Sequence, residues 1–331
     1  MAAKGITVVT WNVNYDFRAE GKLEWAAFHW EARRESVIQN ILKKFATADF
    51  VCLQELRSES VRSIIGDPRI SAVYDSAYGR TNATENALCL LTLWDKKAWS
   101  CVESSTLWFG PDYMPRYWSA RPGGNGYGRI VFLTRFMRAV APEPPNAPIV
   151  HRGEHPISIC NVHFGLSEAE RMQEARLLHE VALCRNAIVC GDFNSFVDAG
   201  GAAQLEVALG KEFADVIAGP FGRDMNIQST VGKFLPGIQV PYPYDTFVKF
   251  KDTDHPEVHP LEGEVGGPLD HILFCKDLFK CPFYALLPAG MIDAEGKLKV
   301  VVEEDLGYHK ADKAPRMASD HIPLVAILTP M

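Results

Sequence analysis

Residues 187–194 read AIVCGDFN. Four consecutive apolar residues, too few for a helix and rich in small and β-branched types, predict a buried strand that ends by delivering an acid and an amide to a sheet edge. The pattern recurs along the chain. ITVVTWN (6–12), FVCLQE (50–55) and ISICNVH (157–163) each close on a polar cluster, while DHILFC (270–275) and DHIPLVAIL (320–328) open on one. Thr10-Trp11-Asn12, Leu53-Gln54-Glu55, Asn161-Val162-His163, Gly191-Asp192-Phe193-Asn194, Leu269-Asp270-His271 and Ser319-Asp320-His321 would thereby gather acids, amides and imidazoles along one edge. An isolated Asn or Asp after a strand is usually a turn former or a helix cap. Six such clusters in order are poorly explained as turns, because buried acids are costly unless paired or metal-bound. The layout is that of a metal-dependent active site.

Composition limits the alternatives. With 331 residues, 47% hydrophobic and 23% charged, the chain has ample material for a core and no signature of disorder. Its N-terminus, MAAKGITVVTWNVN, lacks a basic segment followed by a long apolar stretch, and no window approaches a membrane span, so a cytoplasmic or nuclear protein with no membrane partner is expected. Of the eight cysteines, Cys52, Cys89, Cys160 and Cys190 fall inside apolar runs and no CxxC pair occurs; they read as reduced core residues. A net charge of −7 argues against tight, non-specific binding to duplex nucleic acid, though not against a local basic groove.

Strands are expected over 6–12, 50–55, 87–94, 129–138, 157–163, 187–192, 271–275 and 321–328, a recurrence that suits stacked sheets. Segment 31–46 places Val37, Ile38, Ile41, Leu42 and Phe45 at helical spacing. Ser167 and Glu170 form a capping-box pair before a helix with Met172, Ala175, Leu178 and Ala182 on one face, and a third helix is expected over roughly 198–209. No linker or repeat divides residues 1–331, which read as a single domain. Two long stretches, about 104–128 and 219–266, are rich in Gly, Pro and aromatics. In the first, Trp108, Tyr113, Arg116, Tyr117, Trp118 and Arg121 alternate rings with cations, which suits nucleotide contact as well as it suits a self-packed loop. Gly124-x-Gly126-x-Gly128 lacks the helix that a phosphate loop needs, and His255 and His259 read as loop residues rather than zinc ligands.

The order TWN, LQE, NVH, GDFN, LDH, SDH resembles that of the endonuclease/exonuclease/phosphatase superfamily of divalent-metal phosphoesterases, over essentially the whole chain. The resemblance implies an α/β (α+β) fold of the DNase I-like kind: a four-layer α/β/β/α sandwich, two mixed β-sheets packed face to face with helices outside. It implies Asn12 and Glu55 as metal site, Asp320 as a further ligand, Asp192 as the group that orients and deprotonates the attacking water, and Asn194 as a hydrogen-bond partner of phosphate or water. His321 paired with Asp270 would stay protonated and donate to a phosphate oxygen, with His163 on the other side; Glu85 is a candidate partner for His163, and Arg129 a candidate phosphate contact beside Arg116 and Trp118. Mg²⁺, with Mn²⁺ able to substitute, is the implied cofactor, since it takes oxygen ligands and needs only a few protein groups.

Departures narrow the branch. Asn12-Val13-Asn14-Tyr15 stands where many DNA-repair members have Asn-x-Asp-Gly, and Leu269-Asp270-His271 where inositol-phosphate phosphatases have Cys-Asp-Arg. Trp30-Glu31-Ala32-Arg33-Arg34 with LQE, CGDFNS and SDHIPLV is closer to the nocturnin-like and deadenylase-like exonucleases, and GDFN with SDH also fits 5′-tyrosyl-DNA phosphodiesterases. The leading expectation is a Mg²⁺-dependent nuclease, exo- or endonucleolytic, acting on nucleic acid as a monomer. The alternatives are a phosphatase or sphingomyelinase-like lipid phosphodiesterase with the same site, and a binding protein on an inactive copy of the fold.

Overall fold

The computed structural model describes residues 5–14, 30–82, 87–109, 129–139, 156–165, 168–182, 187–194, 207–208, 210, 212–217, 269–286, 308–309, 314–315, 321 and 323–331. In chain order the elements begin β1 (Ile6–Asn12), α1 (Trp30–Lys43), β2 (Phe50–Arg57), α2 (Ser58–Ile65), α3 (Pro68–Val73), β3 (Tyr74–Arg80) and β4 (Leu88–Asp95). There follow β5 (Trp99–Trp108), β6 (Ile130–Arg138), β7 (Ile157–His163), α4 (Glu168–Ala182), β8 (Ala187–Asp192) and β9 (Phe213–Asp215). Last come β10 (Asp270–Cys275), β11 (Phe279–Leu286), the two-residue strands β12 (Tyr308–His309) and β13 (Ala314–Pro315), and β14 (Leu324–Pro330).

Two six-stranded mixed sheets result, ordered β11-β14-β1-β2-β4-β3 and β5-β6-β7-β8-β10-β9. Each has one parallel pair at its centre, β1 with β2 and β7 with β8, flanked by antiparallel neighbours. Parallel neighbours need a long crossover, and α1 lies on the first and α4 on the second. The sheets face each other with β1 against β8 and β2 against β7. Four strand C-termini therefore converge at one end of the sandwich, the place where crossover-linked strands usually present their ligand-binding groups.

Burial follows the sequence pattern. Val8, Phe50, Phe136, Ile159, Ile188 and Ile272 are fully buried between the sheets, where Phe136 meets Phe50 at 4.8 Å and Trp94 at 5.1 Å. On the outer faces, Val37, Ile38 and Ile41 of α1 and Ala175 and Leu178 of α4 are buried, as their helical spacing predicts. Helix α1 ends at Lys43, short of residue 46, with Phe45 still buried beyond it. Ser167 and most of 198–209 lie outside the described residues; residues 207 and 208 are helical. No helix among the described residues is long and apolar enough to cross a membrane.

One buried side chain couples the sheets. The β2–β4 register slips between Leu53 and Leu56, a bulge that leaves Gln54 and Glu55 outside the ladder. Asn161, reaching across from β7, fills the break: its amide nitrogen donates to the carbonyls of Leu53 (3.2 Å) and Leu91 (3.0 Å), and its oxygen accepts from Gln54 Nε2 at 2.8 Å. Gln54 Nε2 also donates to Thr10 Oγ1 at 3.1 Å. In an apolar interior such a network is favourable only when its members are satisfied. Asn161→Leu keeps the branched shape but removes the donor to two carbonyls and one acceptor of the Gln54 amide, so it is expected to lower the unfolding free energy by about 3 kcal/mol or more in urea titration. An unchanged midpoint would dismiss the coupling role.

Candidate active site

Each site residue is placed by a strand end. Asn12 is the last residue of β1, His163 of β7 and Asp192 of β8, and Asp270 is the first of β10. The register sets His163 and Asp270 directly across from Asp192 on its two sides. Glu55 sits in the bulge of β2 with φ 53°, a left-handed conformation that an L-residue other than Gly rarely adopts. Asn14 (φ 55°) and Asn194 (φ 49°) share it, so all three positive-φ residues other than glycine among the described residues border the site. Strain of this kind costs about 1 kcal/mol or more per residue and persists where surroundings over-determine the backbone.

The sheets meet at the carboxylates. Asn12 Nδ2 lies 2.8 Å from Asp192 Oδ2 and 3.0 Å from Glu55 Oε1, bridging an acid from each sheet. Its Oδ1 accepts the Asn14 N–H at 2.9 Å. Asp192 Oδ1 accepts the Asn194 N–H at 2.8 Å. His163 Nε2 faces both acids, 3.5 Å from Glu55 Oε1 and 3.7 Å from Asp192 Oδ2, while His321 Nε2 stands 3.9 Å from Asp192 Oδ2. His321 is oriented by Asp270, whose Oδ2 is 2.7 Å from Nδ1. Trp11 Nε1 steadies the His321 backbone by donating to its carbonyl at 3.2 Å.

Electrostatics follow from burial. Asp192 is 1% exposed, and desolvation pushes its carboxyl up to about 7 against the opposing pull of His321. His163 moves well below its ordinary value because its charged form is desolvated and Arg129 and His321 stand nearby. Burial likewise raises Glu174 of α4 to about 7; it accepts the Gly165 N–H at 2.6 Å just beyond β7.

The expected partners divide. The structure brings together Asn12, Glu55, His163, Asp192, Asn194, Asp270 and His321, whereas Asp320, Glu85, Arg116 and Trp118 lie outside the described residues. Among the described residues, His163 Nδ1 is met by Arg129, whose Nη1 is 2.8 Å away. Arg129 borders a small recess that opens from Glu55 and His163 between Leu88, Leu90 and Ile130. Asn194 Nδ2 donates to the Phe164 carbonyl at 2.8 Å, tying the ends of β7 and β8 together.

Sequence reading passed over the supports. Arg33 of α1 is 2% exposed and donates to the Val13 carbonyl at 2.8 Å and the Asn14 carbonyl at 2.5 Å, fixing the turn that orients Asn12. Phe193 packs on Phe164 at 4.6 Å and edge-on to His271 at 5.4 Å. His271 is in turn held by Asp215, Nδ1 to Oδ2 2.8 Å. Gly191 (φ 154°) has no room for a side chain, since a Cβ would strike the Val162 carbonyl. The available signal was polar residues inside apolar runs, Gln54 and Asn161 above all.

Carboxylate oxygens of Glu55 and Asp192 suit a hard divalent cation, to which Asn12 could add only its Oδ1, since its Nδ2 donates to both acids. Glu55, His163 and Asp192 have donor atoms within 4.8 Å of one another. His163 does not fit as a ligand, because a guanidinium only donates: Nδ1 must accept from Arg129, which leaves the proton on Nε2.

Comparison with known proteins agrees with this geometry. The chain resembles a mannosyl-6-phosphatase from Bacteroides thetaiotaomicron, with TM-score 0.63 and 16% identity over 98% of this chain and 99% of that one. It resembles TDP2 from D. rerio, solved with a single-strand DNA product, with TM-score 0.55 and 15% identity over 98% and 99%. The human nocturnin catalytic domain, solved with a bound sulfate anion, gives TM-score 0.54 and 12% identity over 100% and 96%. At such identities the likeness is one of fold. No curated protein matches the sequence. The model of the Endonuclease/Exonuclease/phosphatase family matches residues 9–321, nearly the whole length. With two mixed six-stranded sheets and the acids and imidazoles of that match gathered at one end, the chain belongs to the endonuclease/exonuclease/phosphatase family, whose members hydrolyse phosphoester bonds.

Proposed function

We propose that the protein is a Mg²⁺-dependent phosphodiester hydrolase acting on nucleic acid by in-line attack of water. The observation that carries the reading is the setting of Asp192: a buried carboxylate between the Asn12–Glu55 pair and two imidazoles. Glu55 and the Asn12 amide would hold the cation, with Asp320 adding a further oxygen. Bound there, Mg²⁺ would neutralise charge on the phosphate and help stabilise the leaving oxygen. Asp192, held by the Asn12 amide and the Asn194 N–H beside the proposed cation site, is placed to orient a water and, as a carboxylate, to take its proton. The water oxygen bonds to phosphorus as the ester oxygen departs on the opposite side. His321, backed by Asp270, and His163 donate to phosphate oxygens from either side.

Nucleic acid is favoured by the run of aromatics and arginines from Trp108 to Arg121 and by the likeness to TDP2 and nocturnin. A phosphomonoesterase is the second reading, favoured by the likeness to a mannosyl-6-phosphatase. A panel of single-stranded DNA, poly(A) RNA, a 5′-tyrosyl oligonucleotide and a sugar 6-phosphate, each with Mg²⁺ or EDTA, separates them. Cleavage of one of the first three selects the nuclease. Release of phosphate from the sugar alone selects the phosphatase, and metal-independent turnover rejects the mechanism.

Asp192→Asn is expected to keep the fold and lose about three decades or more in kcat. Glu55→Gln should weaken metal binding, with activity recovering as Mg²⁺ or Mn²⁺ is raised. Titration gives a separate check. Because the folded carboxyl of Asp192 is raised from 3.8 to about 7, the folded state holds its proton more tightly, and this group's contribution to stability falls as pH rises between those values. In EDTA, the unfolding free energy of the wild type relative to Asp192→Asn should therefore drop between pH 4 and 8, by about 4 kcal/mol at most. Added Mg²⁺ should remove much of that drift, and a difference flat in pH would contradict the buried-acid assignment.

A further inference from the structure

His163 and His321 flank Asp192 from opposite sides, their Nε2 atoms 3.7 and 3.9 Å from Asp192 Oδ2. The partners on their far nitrogens are of opposite kinds. His321 Nδ1 meets the Asp270 carboxylate at 2.7 Å; a carboxylate only accepts, so this nitrogen carries a proton and Nε2 is left to exchange one. His163 Nδ1 meets the Arg129 guanidinium at 2.8 Å. A guanidinium has no lone pair to offer and does not deprotonate in proteins, so Nδ1 must be the bare nitrogen. In the neutral ring the proton then sits on Nε2, the atom that faces Glu55 Oε1 at 3.5 Å.

We propose that Arg129 is a positioning residue that locks His163 as a neutral imidazole with its Nε2–H directed into the site. His163 then serves as a fixed hydrogen-bond donor to an anionic phosphate oxygen and takes no part in proton transfer, which falls to Asp192 and His321. The idea rests on the hydrolase reading for its consequence but not for its geometry. Several contacts hold Arg129 for this task. Its carbonyl accepts the Phe109 N–H at 2.9 Å, anchoring the backbone just before β6. Its guanidinium lies close enough to the buried Glu174 to oppose the rise in that carboxyl, and Glu174 accepts the Gly165 N–H two residues beyond His163. Arginine, loop and imidazole are thus tied into one unit. A cation on the Nδ1 side also polarises the ring, making Nε2–H a stronger donor than in a free imidazole.

The reading separates from an acid–base role for His163 by substitution. Gln offers an N–H but cannot shuttle a proton. His163→Gln should keep kcat within about tenfold of wild type, whereas His163→Ala should lose about 10²- to 10³-fold, as for removal of one preorganised donor. Equal loss in the two variants overturns the proposal. Arg129→Ala should lower kcat about 10- to 100-fold, the range for a partner that orients an active group. Two-bond ¹H–¹⁵N correlation spectra, with His163 assigned by its loss in His163→Gln, read the tautomer directly and need no substrate. Expected are a bare Nδ1 and protonated Nε2 in the wild type, and a mixture of tautomers in Arg129→Ala. A protonated Nδ1 in the wild type, or an unmoved tautomer in Arg129→Ala, overturns the proposal even if turnover is normal. A protein with the expected tautomer that hydrolyses no phosphoester leaves the arginine lock standing and removes the hydrolase reading instead.

Discussion

The site exists because one amide from the second sheet completes the hydrogen bonding of the first. A strand that kept its ladder through residues 53–56 would turn Glu55 by the ordinary alternation of the pleat and have no positive-φ residue there. The bulge breaks that alternation, and a break in a dry interior leaves carbonyls without donors. Asn161 supplies both N–H groups at that spot and takes the Gln54 amide in return. The same contact fixes how β7 lies on β2, and hence how far His163 and Asp192 stand from Glu55 and Asn12. A structural bond and the geometry of the chemistry are here one feature.

The second constraint is charge. Asp192 is buried beside another carboxylate and draws two short N–H contacts, from Asn12 and from the Asn194 backbone. Those donors are partial compensation for a desolvated acid, which is why its carboxyl is pushed towards neutrality. A cation would complete the compensation. The three left-handed residues around it are consistent with a site held in an intrinsically unfavourable shape by the packing behind it: Arg33 on the Asn12 turn, Phe193 between Phe164 and His271, and the Asp215–His271 pair beneath.

The strands that the sequence predicted and those it concealed differ in position. The eight expected runs correspond to the four inner strands of each sheet, β14, β1, β2 and β4 in one and β6, β7, β8 and β10 in the other. The four sheet edges, β3, β11, β5 and β9, went unrecognised. Inner strands are covered on both faces and read as unbroken apolar runs, whereas an edge strand is free to be polar, short or interrupted. β3 reads YDSAYGR; β5 carries VESS through its middle; β9 has three residues; β11 holds Pro282 where its register slips.

Sequence by itself determined the inner strands, the order of the polar clusters at their ends, and the chemistry those clusters can offer, because apolar runs and motif spacing are local properties written in consecutive residues. Tertiary structure decided which groups meet. That Asn12 bridges Glu55 and Asp192 across 43 and 180 residues of chain, that Asn161 closes a bulge 108 residues away, and that Arg129 stands at His163 depends on how two sheets slide and face each other. That packing is set by the fit of the whole apolar interface, and no local pattern records it.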